Sequence, residues 1–233
     1  MAPGGFRSPA ISNTLPNVLS RAILNPLSML EVVDLASTRG DRRLFTGLGF
    51  NLSAGELLYV RGRNGSGKTT LLRTLCGLML PQQGEIRWRG ENIRALREDY
   101  FREVLFLGHL NGIKGDLSGL ENLRVAAILE GDRVTDRAIE EALARLGLAG
   151  FEDLPTRMLS QGQKRRVALA RLVLSKAALW VLDEPFTALD TAAVELLQAL
   201  MREQLARGGS LVLTTHQEVP LTSGQVQQLY LGA

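Results

Sequence analysis

The stretch "LLYVRGRNGSGKTTLLRTLCGLM", Leu57 to Met79, decides the fold. A short apolar run of strand length meets a glycine-rich turn, and a helix-patterned segment follows it at once, with Pro81 setting an outer limit to the helix. Within it "GRNGSGKTT", Gly62 to Thr70, matches G-x-x-x-x-G-K-[ST] in the strand–turn–helix setting that the chemistry needs. Gly62, Gly65 and Gly67 let the backbone curl round phosphate oxygens, with Arg63, Asn64, Ser66 and Thr70 completing the loop. Lys68 supplies a charge to the β- and γ-phosphates, and the Thr69 hydroxyl is placed for Mg²⁺. The expected fold is therefore α/β, of the P-loop NTPase kind, with a nucleoside triphosphate as ligand.

A second stretch has the same phosphate-binding logic without a pocket of its own. "LSQGQKRRVALARL", Leu159 to Leu172, places a small polar turn directly before a basic helix with an apolar face. Free N–H groups and the positive helix end favour an anion there, and Ser160, Gly162 and Gln163 present them with little obstruction. Taken alone, the turn is also compatible with an ordinary helix cap.

Further along, "LWVLDEP" ends an apolar strand in two adjacent acids. Asp183 is the candidate second magnesium ligand beside Thr69, and Glu184 the candidate general base that polarises the attacking water. His216 closes "LVLTTH", so in a parallel sheet it emerges on the same carboxyl edge as the nucleotide, where it can bond a γ-phosphate. His109 likewise follows the apolar run "VLFLG".

Composition excludes several classes. With 233 residues and 45% hydrophobic content the chain can bury a sizeable core. Its formal charge is +3, but Arg7 and Arg21 stand in an acid-free opening, leaving 25 basic against 24 acidic residues from position 29 onward. That near-neutrality gives no support to a nucleic-acid-binding role. A single cysteine, Cys76, rules out an internal disulfide framework and is expected to be a buried thiol. No apolar run approaches the ~18–20 residues of a membrane span, so any membrane role requires a partner.

Residues 1–28, rich in Pro, Ser and Asn and without a period, are expected to lie outside the core, as a disordered tail or a spurious extension ahead of Met29. From 29 to 233 the order runs from alternating strands ("MLEVVDLAS", "FTGLGFNLS") through the P-loop and an edge hairpin ("GEIRWRGENI") to a helical block at about 110–176. Short apolar strands then return, which reads as an α/β core with a helical subdomain inserted.

In combination these motifs resemble the nucleotide-binding subunit of ABC transporters. "GRNGSGKTT" is similar to Walker A, "LSQGQ" to the signature, "LWVLDE" to Walker B, "TALD" ending at Asp190 to the D-loop, and His216 to the switch histidine. The resemblance implies an ABC-type domain with an antiparallel β subdomain, and an ATP-dependent homodimer packed head to tail. The signature turn of one chain would then cover the γ-phosphate on the P-loop of the other, which gives Ser160, Gly162 and Gln163 their role and adds Asp190 to the nucleotide-contacting set.

"FLGHLNGIKGDLSGLENL", "LGLAGFEDLPTRMLSQGQKRRVALARL", "LWVLDEPFTALD" and "LTTHQ" further resemble the ATP-binding subunits of bacterial cytochrome c maturation, the haem exporter ATPases. That likeness implies a peripheral position on the cytoplasmic face of the inner membrane, multispanning partner subunits, and ATP hydrolysis that drives release of a haem-loaded chaperone. Direct haem ligation is not expected, since Cys76 sits in a helix and both histidines serve the nucleotide. The alternative is a soluble ABC-type ATPase acting on nucleic acid or ribosomes. Two departures stand out: the slot of the adenine-stacking aromatic falls near Arg39, with Phe45 the nearest ring, and His109 replaces the family's loop glutamine.

Overall fold

A computed structural model of the chain describes residues 28–215 and 225–232. Expectations for residues 1–27 and for His216 lie outside the described residues. The first strand opens at Ser28, one residue earlier than the sequence reading places the core.

Strands β1 (Ser28–Arg39) and β2 (Arg42–Ser53) form a long antiparallel hairpin. Strand β3 (Leu57–Gly62) follows and leads through the P-loop into helix α1 (Lys68–Leu75). Next come β4 (Gln83–Trp88), the short β5 (Glu91–Asn92), helices α2 (Ile93–Leu96) and α3 (Glu98–Glu103), and β6 (Val104–Leu107). Three helices succeed one another, α4 (Gly119–Leu129), α5 (Asp136–Arg145) and α6 (Gln161–Leu174). The chain then returns through β7 (Leu179–Asp183), α7 (Thr191–Ala206), β8 (Ser210–Thr214) and β9 (Val226–Leu231).

The strands make two sheets. One is antiparallel in the order β2-β1-β4-β5, and the other runs β6-β7-β8-β3-β9 with every neighbour parallel. In the second sheet the two-residue pleat assigns alternate side chains to two cores. Leu57, Tyr59, Trp180, Leu182, Leu211 and Leu213 face the helices α4 to α7, whereas Leu58, Val60, Leu179, Val181 and Val212 face α1 and the antiparallel sheet. This is why these strands read as unbroken apolar runs: both of their faces are covered.

Helix α1 ends at Leu75, well short of Pro81, and its stop is Gly77 at φ 70°. The Leu78 N–H reaches the Arg73 carbonyl at 2.9 Å and the Gly77 N–H the Thr74 carbonyl at 3.0 Å, a Schellman closure. Helix α3, which the sequence reading did not separate from its surroundings, brings in Tyr100, whose buried hydroxyl donates to the Leu75 carbonyl at 2.6 Å. Cys76, the α1 cap, is buried, and burial pushes its thiol above its ordinary range.

Between β6 and α4 one side chain holds the second half of the loop to the start of α4. Asn122 accepts from the Lys114 N–H at 2.7 Å and donates to the Lys114, Leu117 and Ser118 carbonyls at 3.0, 3.2 and 2.8 Å. Thr156 adds a hydroxyl bond to Lys114 O at 2.8 Å. Removing a nearly buried amide with several backbone partners strands those partners, at a cost of about 2 kcal/mol or more. Asn122→Ala is expected to lower the urea midpoint accordingly, whereas Asn92→Ala, which leaves this loop intact, should cost less; equal midpoint shifts would contradict the reading.

Candidate functional site

Gly62 ends β3 at φ 148°, and a Cβ there would stand 2.5 Å from Leu231 O and 2.6 Å from Ser66 Oγ. Only glycine lets the chain turn so tightly against β9. The loop closes with Gly67 at φ 102° as the N-cap of α1, and no side chain caps that end. The first N–H groups of α1 therefore face the loop mouth together with the positive helix end. Lys68 Nζ donates to Gly62 O at 2.8 Å and to Arg63 O at 3.3 Å, which holds the ammonium across the mouth with a donor to spare.

Parallel pairing brings the ends of β3, β8 and β7 side by side. Asp183, the last residue of β7, is buried. Its Oδ2 accepts from Thr69 Oγ1 at 2.8 Å and its Oδ1 from Thr214 Oγ1 at 2.6 Å. Thus α1, β7 and β8 meet on one carboxylate, and a buried carboxylate needs such donors to be tolerable. The Glu184 N–H in turn bonds Thr214 Oγ1 at 3.0 Å and Thr214 O at 3.2 Å. Glu184 itself is at φ 50°, a conformation that costs a non-glycine residue roughly 1 kcal/mol.

A cavity of about 430 Å³ opens on this edge, lined among others by Asn64, Gly65, Gly67, Lys68, Thr69 and Thr70. His109, Asp183 and Glu184 also line it, as do Arg39 and Leu44. The structure thus gathers most of the sequence-derived set in one place. Arg63 and Ser66 lie on the other side of the loop, beside Arg42 and Arg43 in a second hollow of about 390 Å³. Of the two adenine-slot candidates, Arg39 lines the cavity, while Phe45 is packed in the core beneath Gly67.

The remaining candidates stand apart. Ser160 caps α6: its Oγ accepts from the Gln163 N–H at 3.2 Å, and Gln163 Oε1 accepts from the Ser160 N–H at 2.9 Å. Neither they nor Gly162 line the P-loop cavity of their own chain. Asp190 caps α7 through the Ala193 N–H at 2.9 Å and pairs with Arg166 of α6. That backbone bond first, and Arg166 second, hold its carboxyl below the usual range.

Sequence reasoning missed Thr214 and Arg165. Thr214 was hidden in an apolar strand, where a threonine passes for a β-branched filler. Arg165 did leave a signal: with Ala168, Leu169 and Leu172 it falls at i, i+3, i+4 and i+7, on the buried face of α6 rather than the basic one.

Among the described residues no three His, Cys, Asp or Glu side chains cluster as a metal cage. The Thr69 hydroxyl and the Asp183 carboxylate form an all-oxygen pair, which is the donor type that a hard divalent cation takes when phosphate and water supply its other positions.

A P-loop at the edge of a parallel sheet, a strand-end carboxylate bonded to it and a separate capped helix turn define the class as an ABC-type ATPase. The ABC transporter family model matches residues 45–187. The chain is 52% identical to the cytochrome c biogenesis ATP-binding export protein CcmA of Nitrosospira multiformis over 202 residues, 87% of this chain and 98% of that one. With the CcmA of Dechloromonas aromatica it shares 53% over 204 residues, 88% of this chain and 100% of the other. Among solved structures, an ATP-binding subunit of an ABC transporter superposes with a TM-score of 0.74 at 29% identity, covering 81% of this chain and 80% of its own. The cbiO1 protein of Clostridium perfringens, part of the ABC transporter complex cbiONQ, gives 0.70 at 25% identity, with 88% and 87% covered. The chain belongs to the ABC transporter ATP-binding family, in its branch of cytochrome c biogenesis ATP-binding export proteins.

The Gly62 geometry yields a direct check. Gly62→Ala forces the loop off Leu231, so ATP affinity measured with a fluorescent analogue is expected to fall roughly tenfold or more. Gly90→Ala, strained likewise at φ 86° but with its Cβ in open space away from the loop, is the control for backbone strain alone and should bind like the native chain. Unchanged binding in Gly62→Ala would contradict the loop's role.

Proposed function

We propose that the P-loop edge is one half of a composite ATP site, and that the chain works as an ATP-dependent homodimer bound to multispanning membrane subunits. The observation that carries this reading is the Thr69–Asp183–Thr214 chain of hydrogen bonds at the P-loop mouth, with Glu184 next to it. In this reading Lys68 and the loop N–H groups of residues 62–70 hold the β- and γ-phosphates. Thr69 and Asp183 hold Mg²⁺, which when bound would neutralise phosphate charge. Glu184 orients and deprotonates water, His109 assists from the neighbouring strand end, and Arg39 stacks on the adenine as a guanidinium can. His216, outside the described residues, is proposed for the γ-phosphate on the sequence argument alone.

Ser160, Gly162 and Gln163 are assigned to the nucleotide of the second chain, with Asp190 beside them at that interface. What supports this is that none of the three lines its own chain's cavity, together with the capping box, which takes up the Ser160 and Gln163 N–H groups and presents their turn as a preformed face. The domain bounds proposed are 29–233, with the helical subdomain at about 110–176; α4, α5 and α6 all fall inside it.

The membrane assignment draws on the relatives, whose names describe export proteins of cytochrome c biogenesis. No helix among the described residues is long and apolar enough to cross a membrane, so attachment is proposed to be peripheral, at the cytoplasmic face of the inner membrane. Exposed Leu110, Ile128, Leu129 and Met158 on the helical side supply apolar surface for that contact. The cargo reading, release of a haem-loaded chaperone without haem ligation by this chain, follows the same relatives. The alternative of a soluble ATPase on nucleic acid or ribosomes is not favoured by them.

The test separates the two acids. Glu184→Gln keeps the Asp183 pair and removes the base, so it is expected to bind ATP, hydrolyse at least ~100-fold more slowly and accumulate as a dimer with ATP and Mg²⁺. Light scattering and phosphate release read both. A Glu184→Gln chain that turns over at the native rate, or stays monomeric at high concentration, would contradict the assignment.

A further inference from the structure

Arg165 is the most deeply buried charged side chain of α6, 3% exposed, and it faces the ATP edge from below. Its Nη1 donates to Gly108 O at 3.2 Å and to Asn111 Oδ1 at 3.2 Å, and its Nη2 donates to Glu184 O at 3.1 Å. The first two bonds bracket His109 in the chain; the third holds the peptide that follows the general-base candidate. Arg165 is also five residues beyond Ser160 on the same helix, so one rigid element carries both the signature turn and this guanidinium.

The energetics argue against a filler. Burial pulls the guanidinium below its ordinary range, with Asp183 opposing that pull, and its Nε has no hydrogen-bond partner. An apolar residue at this point of the buried face would avoid both costs. An arginine does what a leucine could not: its planar fork bonds two carbonyls and an amide in fixed directions. The left-handed peptide at Glu184, at φ 50°, is the kind of strained backbone that persists only where its surroundings fix it. Thr214 holds its N–H side and Arg165 its carbonyl side.

We propose that Arg165 is a positioning residue that locks the signature helix to the His109 turn and the Glu184 peptide of the same chain. Movement of α6 toward a second chain's nucleotide thereby sets the hydrolytic groups over the chain's own nucleotide. The inference rests on the composite-site reading above. It adds a mechanical link between what a chain does for its own ATP and what it does for its neighbour's.

The test uses the chain purified with the membrane subunits it binds. Arg165→Met is expected to lower kcat about 30-fold while KM for ATP stays within about threefold, because the phosphate-binding loop is untouched. Arg165→Lys, a point charge that can serve one of the three acceptors at a time, should recover part of that loss. A packing role alone predicts the reverse order, with the apolar Met variant as active as the native chain and the Lys variant worse; that result would overturn the proposal. Should Arg165→Met fail to fold, Asn111→Ala removes one acceptor from a partly exposed turn and is expected to lower kcat about threefold without shifting the urea midpoint. Native kcat in both Asn111→Ala and Arg165→Lys would also overturn it. Glu184→Gln is assayed alongside: if that variant hydrolyses normally, the composite-site reading has failed, whereas a dead Glu184→Gln with a fully active Arg165→Met rejects only the positioning role.

Discussion

The carboxylate of Asp183, bonded by Thr69 on one oxygen and Thr214 on the other, is the constraint on which the rest of the site depends. It joins the helix behind the P-loop to two strand ends and is itself almost wholly buried. A carboxylate in that position is tolerable only because both donors are in place, so the same bonds that make it stable also fix the P-loop relative to Glu184. The Glu184 N–H is held by the same threonine, which makes the strand β8 a ruler for both acids.

Much of this was legible in the sequence, and for physical reasons. Strands covered on both faces leave unbroken apolar runs, so β3, β7 and β8 announce themselves, and each ends at a residue of the proposed site. The P-loop is legible because its glycines are dictated by contacts such as Gly62 against Leu231 O. What the sequence concealed is polar chemistry at positions that look like packing. Thr214 passes for a strand residue, and Arg165 for part of a basic surface, although its spacing places it on the apolar face of α6. The early stop of α1 was written in Gly77, but Pro81 is the louder signal, and the short α3 carries too few residues for a periodic pattern to appear. For the adenine slot, the nearest aromatic in sequence, Phe45, lies in the core and the arginine Arg39 at the cavity wall, a choice that depends on how the β1–β2 hairpin bends back.

The two phosphate-type helix starts differ in how their ends are satisfied. Helix α1 opens on a glycine with no capping side chain, so its donors are free for a ligand lying in its own cavity. Helix α6 closes Ser160 and Gln163 on each other in a capping box, which makes the turn a rigid, preformed surface. Arg166 and Asp190 tie that turn to the start of α7, so the turn is a single block rather than a loose loop, as the proposed pairing with a second chain requires. A preformed face of this kind suits recognition of an anion already seated elsewhere, which is what a head-to-tail pair of chains provides.

The central claim is that each ATP is handled by two chains, and subunit mixing addresses it most directly. A Ser160→Arg chain has an intact P-loop and a damaged signature turn, and a Lys68→Ala chain has the opposite. Each alone is expected to be inactive. Combined in equal amounts and reassembled, half of the dimers hold one chain of each kind, and in those one site is built wholly from undamaged halves. Recovery of about a quarter of the native ATPase rate is the predicted result for sites assembled in this way. A mixture as inactive as its parents, or a Ser160→Arg chain that hydrolyses ATP normally by itself, would show instead that the P-loop and the signature turn do not share a nucleotide between chains.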